Sequence, residues 1–375
     1  MRRPVNARRS TPPPATPGLA LFAKLVVAMT FVLIFIGGHT TTSGAGMAFP
    51  DWPLSHGSLN PAGWLTNFLM FLEHSHRLTA GLVAMMVAVL FAWIFWKRES
   101  LIQGALPLAG FALVGVLAQA LLGGLRVILD PQGIAATTST IATTFRVLHG
   151  CVAQIELCLL VALAALLSPA WNEIRTSEKM RGIARLGRIA IALVFLQLIV
   201  GATMRHLGAG LAIPTFPQAT ADGEWMPKVH NALVDLNFTH TRVGSVVVTL
   251  LLLHLGASAF RKAGGDIRIQ RPAMLLGALI LAQFTLGMFV IWQVRPPLLT
   301  TLHVVNGAAV LATCVLLTVR ASRARSCDAP SQESARGALA AKTTHSRGEA
   351  PRTPSCDGAS QPPPCDEASQ PQPTA

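Results

Sequence analysis

Long apolar runs alternate along this chain with short polar breaks, and the runs carry almost no charge. Eight of them, at 20–38, 67–96, 107–127, 145–168, 187–204, 237–260, 273–292 and 299–319, lie near the roughly 20 residues that carry a helix across a bilayer core. The pattern predicts an all-α membrane protein with eight transmembrane helices. A soluble chain would have about a quarter of its residues charged. Here the fraction is 13% and the mean hydropathy is +0.50, which excludes an ordinary water-soluble fold.

The cations cluster in every second break, and short loops rich in Lys and Arg stay on the cytoplasmic side. Arg2, Arg3, Arg8 and Arg9 precede the first run, and Lys97 and Arg98 follow the second. Arg175, Lys179, Arg181, Arg185 and Arg188 separate the fourth and fifth. Arg261, Lys262, Arg268 and Arg271 separate the sixth and seventh, and Arg320, Arg323 and Arg325 follow the eighth. The opposite loops hold only isolated cations such as Arg126, Arg146, Lys228 and Arg295. Both termini are therefore expected in the cytoplasm. The net charge of +13 follows topology and attraction to anionic lipid, not nucleic acid. The Arg-rich start has the composition of a mitochondrial transit peptide, but only about 19 residues precede the first run. A bacterial inner membrane is the expected location.

Of six cysteines, Cys151, Cys158 and Cys314 fall in apolar runs and Cys327, Cys356 and Cys365 in the segment after them. None occupies an outer loop, where oxidation would be expected. Residues 321–375 are rich in Ala, Ser, Pro, Gln and Thr and poor in bulky apolar groups, the composition of a disordered tail.

An internal repeat organises the rest. SGAGMAFPDWP (43–53) matches LGAGLAIPTFP (207–217) at an offset of 164, His76 then falls on His240, and AQALLG (118–123) meets AQFTLG (282–287) at the same offset. Each repeat holds four apolar runs, an even number, so both enter the membrane from one side. Two four-helix bundles related by a pseudo-twofold axis along the membrane normal are expected. The domains are then a 1–19 cytoplasmic segment, a 20–168 half, a 169–186 cytoplasmic linker, a 187–320 half and the 321–375 tail. The Gly and Pro residues of the matched segments suit a tight loop folded over the mouth of each bundle.

Four of the eleven histidines, His76, His149, His240 and His303, stand near the outer ends of the even-numbered runs. One such His sits comfortably at headgroup level. Four at corresponding positions point to function, and two from different helices in each half suit the two faces of a haem iron. Zinc or copper would be expected to bring a carboxylate or thiol cluster. His39, His56, His206 and His230 read as solvated loop residues, and His345 lies in the tail. His254, 14 residues beyond His240, reads as a buried, hydrogen-bonded residue.

Glu73 stands three residues before His76, on one helix face with it, and its repeat partner is Asn237. An acid in one half only suggests reactive chemistry in the N-terminal half and a permanently held cofactor in the C-terminal half. The bland reading is a carboxylate paired with Arg77.

The segments GGHTTTSGAGMAFPDWPLSHGSLNP, EHSHR, RVLHGCVAQ, RHLGAGLAIPTFP and TLHVVNGAAVL resemble the signature segments of haem A synthases, over about residues 20–320. That resemblance implies oxidation of a ring methyl of haem O to a formyl group for terminal oxidase assembly. It implies that His240 and His303 hold a prosthetic haem b, that His76 and His149 face the substrate haem, and that Glu73 is the functional acid. A haem O synthase and an electron donor are the partners it suggests. Two departures stand out. HTR (240–242) replaces the family's His-Arg pair, leaving Arg242 without an assigned role. Ser55 stands where some members carry one of two loop cysteines, so no mechanism through that thiol pair can operate. Two other classes compete: a di-haem electron-transfer protein, against which the asymmetric Glu73 counts, and a transporter, against which the absence of charged residues or broken helices at mid-membrane depth counts.

Overall fold

The structure is a computed structural model that describes residues 16–129, 140–174 and 179–327, with side chains as far as Arg323. Its eight long apolar helices are α1 (Pro17–Thr42), α2 (Phe68–Lys97), α3 (Ala105–Ile128), α4 (Thr140–Leu167), α5 (Lys179–His206), α6 (Ala232–Lys262), α7 (Ile267–Trp292) and α8 (Pro297–Cys327). Each is long and apolar enough to cross a bilayer, and the chain is a multi-pass membrane protein. The described residues contain no strand beyond one isolated bridge, Ser55 to Ser58.

The helix ends show what hydropathy leaves out. Asn67 caps α2 by accepting the N–H groups of Leu69 and Met70, and Asn231 caps α6 by accepting those of Leu233 and Val234. These two caps, each supplying acceptors for otherwise orphan amides, again lie 164 residues apart. Helical hydrogen bonding carries α1 to Thr42 and α5 to His206, so His39 and His206 are half-buried helix residues, not solvated loop residues. Helix α5 starts at Lys179, which places Arg181, Arg185 and Arg188 on that helix. Helix α8 continues to Cys327, taking 321–327 out of the expected tail. Cys356, Cys365 and His345, with Arg2, Arg3, Arg8, Arg9 and Arg175, lie outside the described residues.

Within the first half α1 packs on α2, α2 on α3, α3 on α4 and α4 back on α1; the second half closes the same ring through α5, α6, α7 and α8. The halves meet through α1–α8, α4–α5 and α4–α8 contacts. Exchanging the halves converts the first of these contacts into the second and leaves the third unchanged. Each ring has its own apolar core, Leu19, Val26, Val87, Leu90 and Leu160 in one and Leu252, Leu255, Leu276, Leu311 and Leu317 in the other. Leu157, Val161, Ala308 and Ala312 fill the junction. Lipid tails compete for apolar surface, so helix association rests on close packing. Small residues such as Ala105, Ala109 and Ala112 supply that closeness on α3.

Helix α6 departs from α2 in one respect. Thr239–Gly244 is π-helical, a form that accommodates a single inserted residue. Below His76 the core positions of α2 are Val87, Leu90 and Ile94; below His240 those of α6 are Leu252, Leu255 and Ala259, each one position further on. Thr241 is the added residue, and the π-helix keeps the rest of α6 in register. Near 100° of extra rotation also turns His254 to the exposed surface of α6, which corrects its reading as buried.

Candidate functional site

Loops 43–67 and 207–231 lie at the same end of the helices and are each clasped by one arginine. Arg77 Nη1 donates to the carbonyls of Asp51 (2.7 Å) and Leu54 (2.6 Å). Arg242 Nη2 donates to those of Thr215 (2.5 Å) and Gln218 (2.9 Å). The acceptors are 164 residues apart and the arginines 165, so the π-helix is what delivers Arg242 to the equivalent clasp. Each guanidinium also lies 5.4 Å from a loop phenylalanine ring, Phe49 or Phe216, a favourable stacking distance for a cation on an aromatic face. Arg126 Nη2 donates to Gly46 O (3.3 Å), and Arg295 packs against Gly210, where a methyl group would sit 3.2 Å from its Cδ.

The four histidines share a seating. A Cβ on Gly37 of α1 would lie 2.7 Å from His76 Cε1, and one on Gly201 of α5 would lie 2.6 Å from His240 Cε1. On Gly123 of α3 it would be 3.4 Å from His149 Cε1, and on Gly287 of α7 3.2 Å from His303 Cε1. Both glycine pairs, 37/201 and 123/287, repeat at 164. Each imidazole therefore occupies the space a side chain on the next helix would fill. The Nδ1 of all four is buried without a hydrogen-bond partner. His76 lies within electrostatic reach of His149, and His240 of His303, so each half brings its two rings together from α2 and α4, or from α6 and α8.

Matched glutamines serve the pairs differently. Gln119 Nε2 donates to His149 O (3.1 Å), whereas Gln283 Nε2 donates to His303 Nε2 (3.1 Å) while its Oε1 accepts Asn306 Nδ2 (2.8 Å). Gln197 of α5 has no polar counterpart, since Leu33 stands at its repeat position. Its Nε2 donates to His240 O at 2.8 Å, inside the π-helix. Gly244 leaves room for this, because a Cβ there would collide with Gln197 Oε1.

Glu73 is buried, with Oε2 accepting Phe49 N (3.0 Å) and Oε1 paired with Arg77 Nη2 (2.6 Å). Oε2 thus ties α2 to the loop directly, and Oε1 steadies the arginine that clasps the same loop. Asn237 in the second half donates through Nδ2 to Ala209 O (2.8 Å) and accepts from Arg242 Nη1 (3.3 Å). The sequence offered Glu73 as the one outstanding acid, but α4 buries a second, Glu156, at 4% exposure. It lies near the middle of its helix, which corrects the expectation that charged residue types are absent at mid-membrane depth.

The sequence profile of the family described as cytochrome oxidase assembly protein matches residues 20–315. The chain belongs to that family. Among its relatives, a "Heme A synthase" of Beijerinckia indica is 26% identical over 80% of this chain and 92% of its own. Another of Methylorubrum extorquens is 29% identical over 82% and 86%, and one of Rhodospirillum centenum 27% over 81% and 87%. In this member of the family Ser55 is buried and its Oγ lies 3.1 Å from His74 Nδ1. His74 in turn lies against the rings of Trp64 (4.7 Å) and Phe49 (5.9 Å). The position read as a missing cysteine is thus a polar pin between the loop and α2. Asp51 accepts the N–H groups of His56 (2.8 Å) and Gly57 (2.7 Å) in the same loop. Desolvation, the largest single influence, pushes its carboxyl up, but those amides and the Arg77 charge together hold it below the ordinary carboxylate value.

Proposed function

We propose that this member of the cytochrome oxidase assembly protein family is a haem A synthase, an oxidoreductase converting a ring methyl of haem O to a formyl group. The observation that carries the proposal is the repeated seating of paired imidazoles: two pairs, four repeat-related glycines and an arginine-clasped loop over each half. Each ring is wedged against its glycine with Nδ1 buried on that side, which leaves Nε2 as the nitrogen that would serve a porphyrin iron and supports axial ligation. The family resemblance assigns His240 and His303 to a prosthetic haem b, and His76 and His149 to the substrate haem. Holding haem at His303 requires Gln283 to release its Nε2.

Bound haem iron, with an oxidant and an electron donor from outside the chain, supplies the oxidising power that no side chain has. The residues bind, orient and shield. Glycine-seated rings fix the direction of each imidazole. The clasped loops cover the bundle ends, and water exclusion strengthens the interactions beneath them. Glu73, joined to Phe49 N and Arg77, is the acid beside the N-terminal pair, and we assign it proton transfer during two successive hydroxylations, after which the diol loses water. Its absence from the second half, where Asn237 stands, supports different tasks for the halves. The adjacency of the helices supports a pseudo-twofold axis through the α4–α8 contact. Cation placement supports both termini on the cytoplasmic side of a bacterial inner membrane, and contact with a haem O synthase would deliver the substrate within the lipid.

A second reading, a di-haem electron carrier, gains from the finding that both Glu73 oxygens are already engaged, one by the loop and one by Arg77. Purified protein is expected to show a low-spin b-type spectrum that His240→Ala or His303→Ala removes. Glu73→Ala is expected to keep that spectrum and to accumulate haem O or a hydroxylated intermediate. Normal haem A production by Glu73→Ala contradicts the catalytic assignment; a full spectrum in both histidine variants contradicts the cofactor assignment.

A further inference from the structure

Helix α4 carries one feature that neither the repeat nor the roles above account for. Both carboxyl oxygens of Glu156 are buried without a hydrogen-bond partner. Oε2 touches the place where Gly115 of α3 would carry a Cβ, so the group is pressed into the α3–α4 seam. Burying a carboxyl among apolar side chains is costly unless a polar group answers it. The corresponding residue of α8, counting from His303 as Glu156 counts from His149, is Val310, an ordinary member of the second core. The costly group therefore belongs to the half assigned to the substrate.

Its direction follows from helix geometry. Seven residues bring Glu156 round to the face of α4 that carries His149, about 10 Å further along the axis. Leu160, Leu163 and Leu167 continue that face into the first apolar core. Oε2 meets α3 at Gly115, eight residues along that helix from the Gly123 that seats His149, so the carboxyl lies about 12 Å below the imidazole. Across the bundle, Val83 stands at the corresponding depth on α2 and is buried in the same core. Glu156 is thus a polar group at the floor of the N-terminal histidine site, immediately above apolar packing. At the opposite end of that site, Arg126 lies within reach of both His76 and His149.

We infer that Glu156 is a specificity-determining residue that hydrogen-bonds the hydroxyl on the isoprenoid-bearing arm of the substrate porphyrin. This rests on the haem A synthase reading. A porphyrin that turns its propionates to the cationic end directs the opposite edge, which bears that hydroxyl in haem O, down toward Glu156. A protonated carboxyl can donate to the hydroxyl and accept from it. Protohaem has a vinyl group there and offers neither contact.

The test uses full-length protein holding its resident haem, titrated in detergent with haematohaem, which carries hydroxyethyl groups, and with mesohaem, which carries ethyl groups. Both lack the farnesyl chain, so the ratio of their affinities isolates the hydroxyl. Wild type is expected to favour haematohaem about tenfold, the scale of one buried hydrogen bond. Glu156→Val and Glu156→Met are expected to bring the ratio near one, and Glu156→Gln to keep most of the preference. An unchanged resident-haem spectrum shows which apolar variant is folded and is read. A wild-type ratio near one overturns the inference, as does a preference that survives in the folded apolar variant. If the ratio collapses as expected while wild type never converts haem O, the binding role stands and the enzymatic reading fails. Conversion of haem O together with an unaltered ratio sinks the Glu156 role alone.

Discussion

A glycine beneath each histidine is the smallest unit of this site. At 2.6 Å from His240 Cε1, a methyl group on Gly201 would displace the ring or the helix, and overpacking of this kind costs roughly 1–3 kcal/mol. Gly201→Ala is expected to lower the content of resident haem and to shift its electron paramagnetic resonance g-values. Gly150→Ala, where a Cβ meets nothing within 4 Å, is expected to leave both unchanged. Equal haem content in the two variants contradicts the seating. Asp51 gives a second prediction. Its folded value lies below its unfolded value of about 3.9, so its contribution is complete above that pH and is lost as pH falls through the lower folded value. Proteolysis within 51–57 is therefore expected to stay constant from about pH 5 to pH 8 and to rise only in stronger acid; a rise near neutrality would show that another group governs the loop.

Helix α6 shows how an element absorbs a sequence change. Thr241 adds a residue, the π-helix takes it up, Gln197 donates to His240 O, and Arg242 still reaches its loop. Gln197→Leu alone, which copies the first half, is expected to destabilise the protein by about 1 kcal/mol, the worth of one hydrogen bond. Deleting Thr241 alone is expected to cost a similar amount, and the combined variant less than the sum, because an uninterrupted α6 has no use for the glutamine. Strict additivity in thermal unfolding would mean that the two residues act independently. The eight helices were legible because hydropathy over 20 residues sets them, and the histidines because an ionisable residue repeated in apolar sequence is conspicuous. The role of Arg242 was hidden, because reading HTR against His-Arg registers a mismatch where the backbone supplies the correction. Gly37 and Gly201 lay in view at the repeat offset, but only the rings standing on them give them meaning. Glu156 escaped notice because no second acid or histidine within one helical turn marked it, and its burial is set by the packing of α3 on α4.

At the scale of the whole molecule, the halves share ring closure, loop clasps and imidazole seats, and differ at Glu73, Glu156, Gln197 and Thr241. Both acids fall in the N-terminal half, and the altered backbone lies beside the resident haem assigned to the C-terminal half. A duplicated electron carrier has no evident use for that division, whereas an enzyme with one reacting and one resident porphyrin does. The measurement that tests this most directly is extraction and chromatography of haem from cells that produce haem O, with and without the chain. Haem A is expected only when the chain is present. Unaltered haem O in cells containing folded, haem-loaded protein would contradict the account.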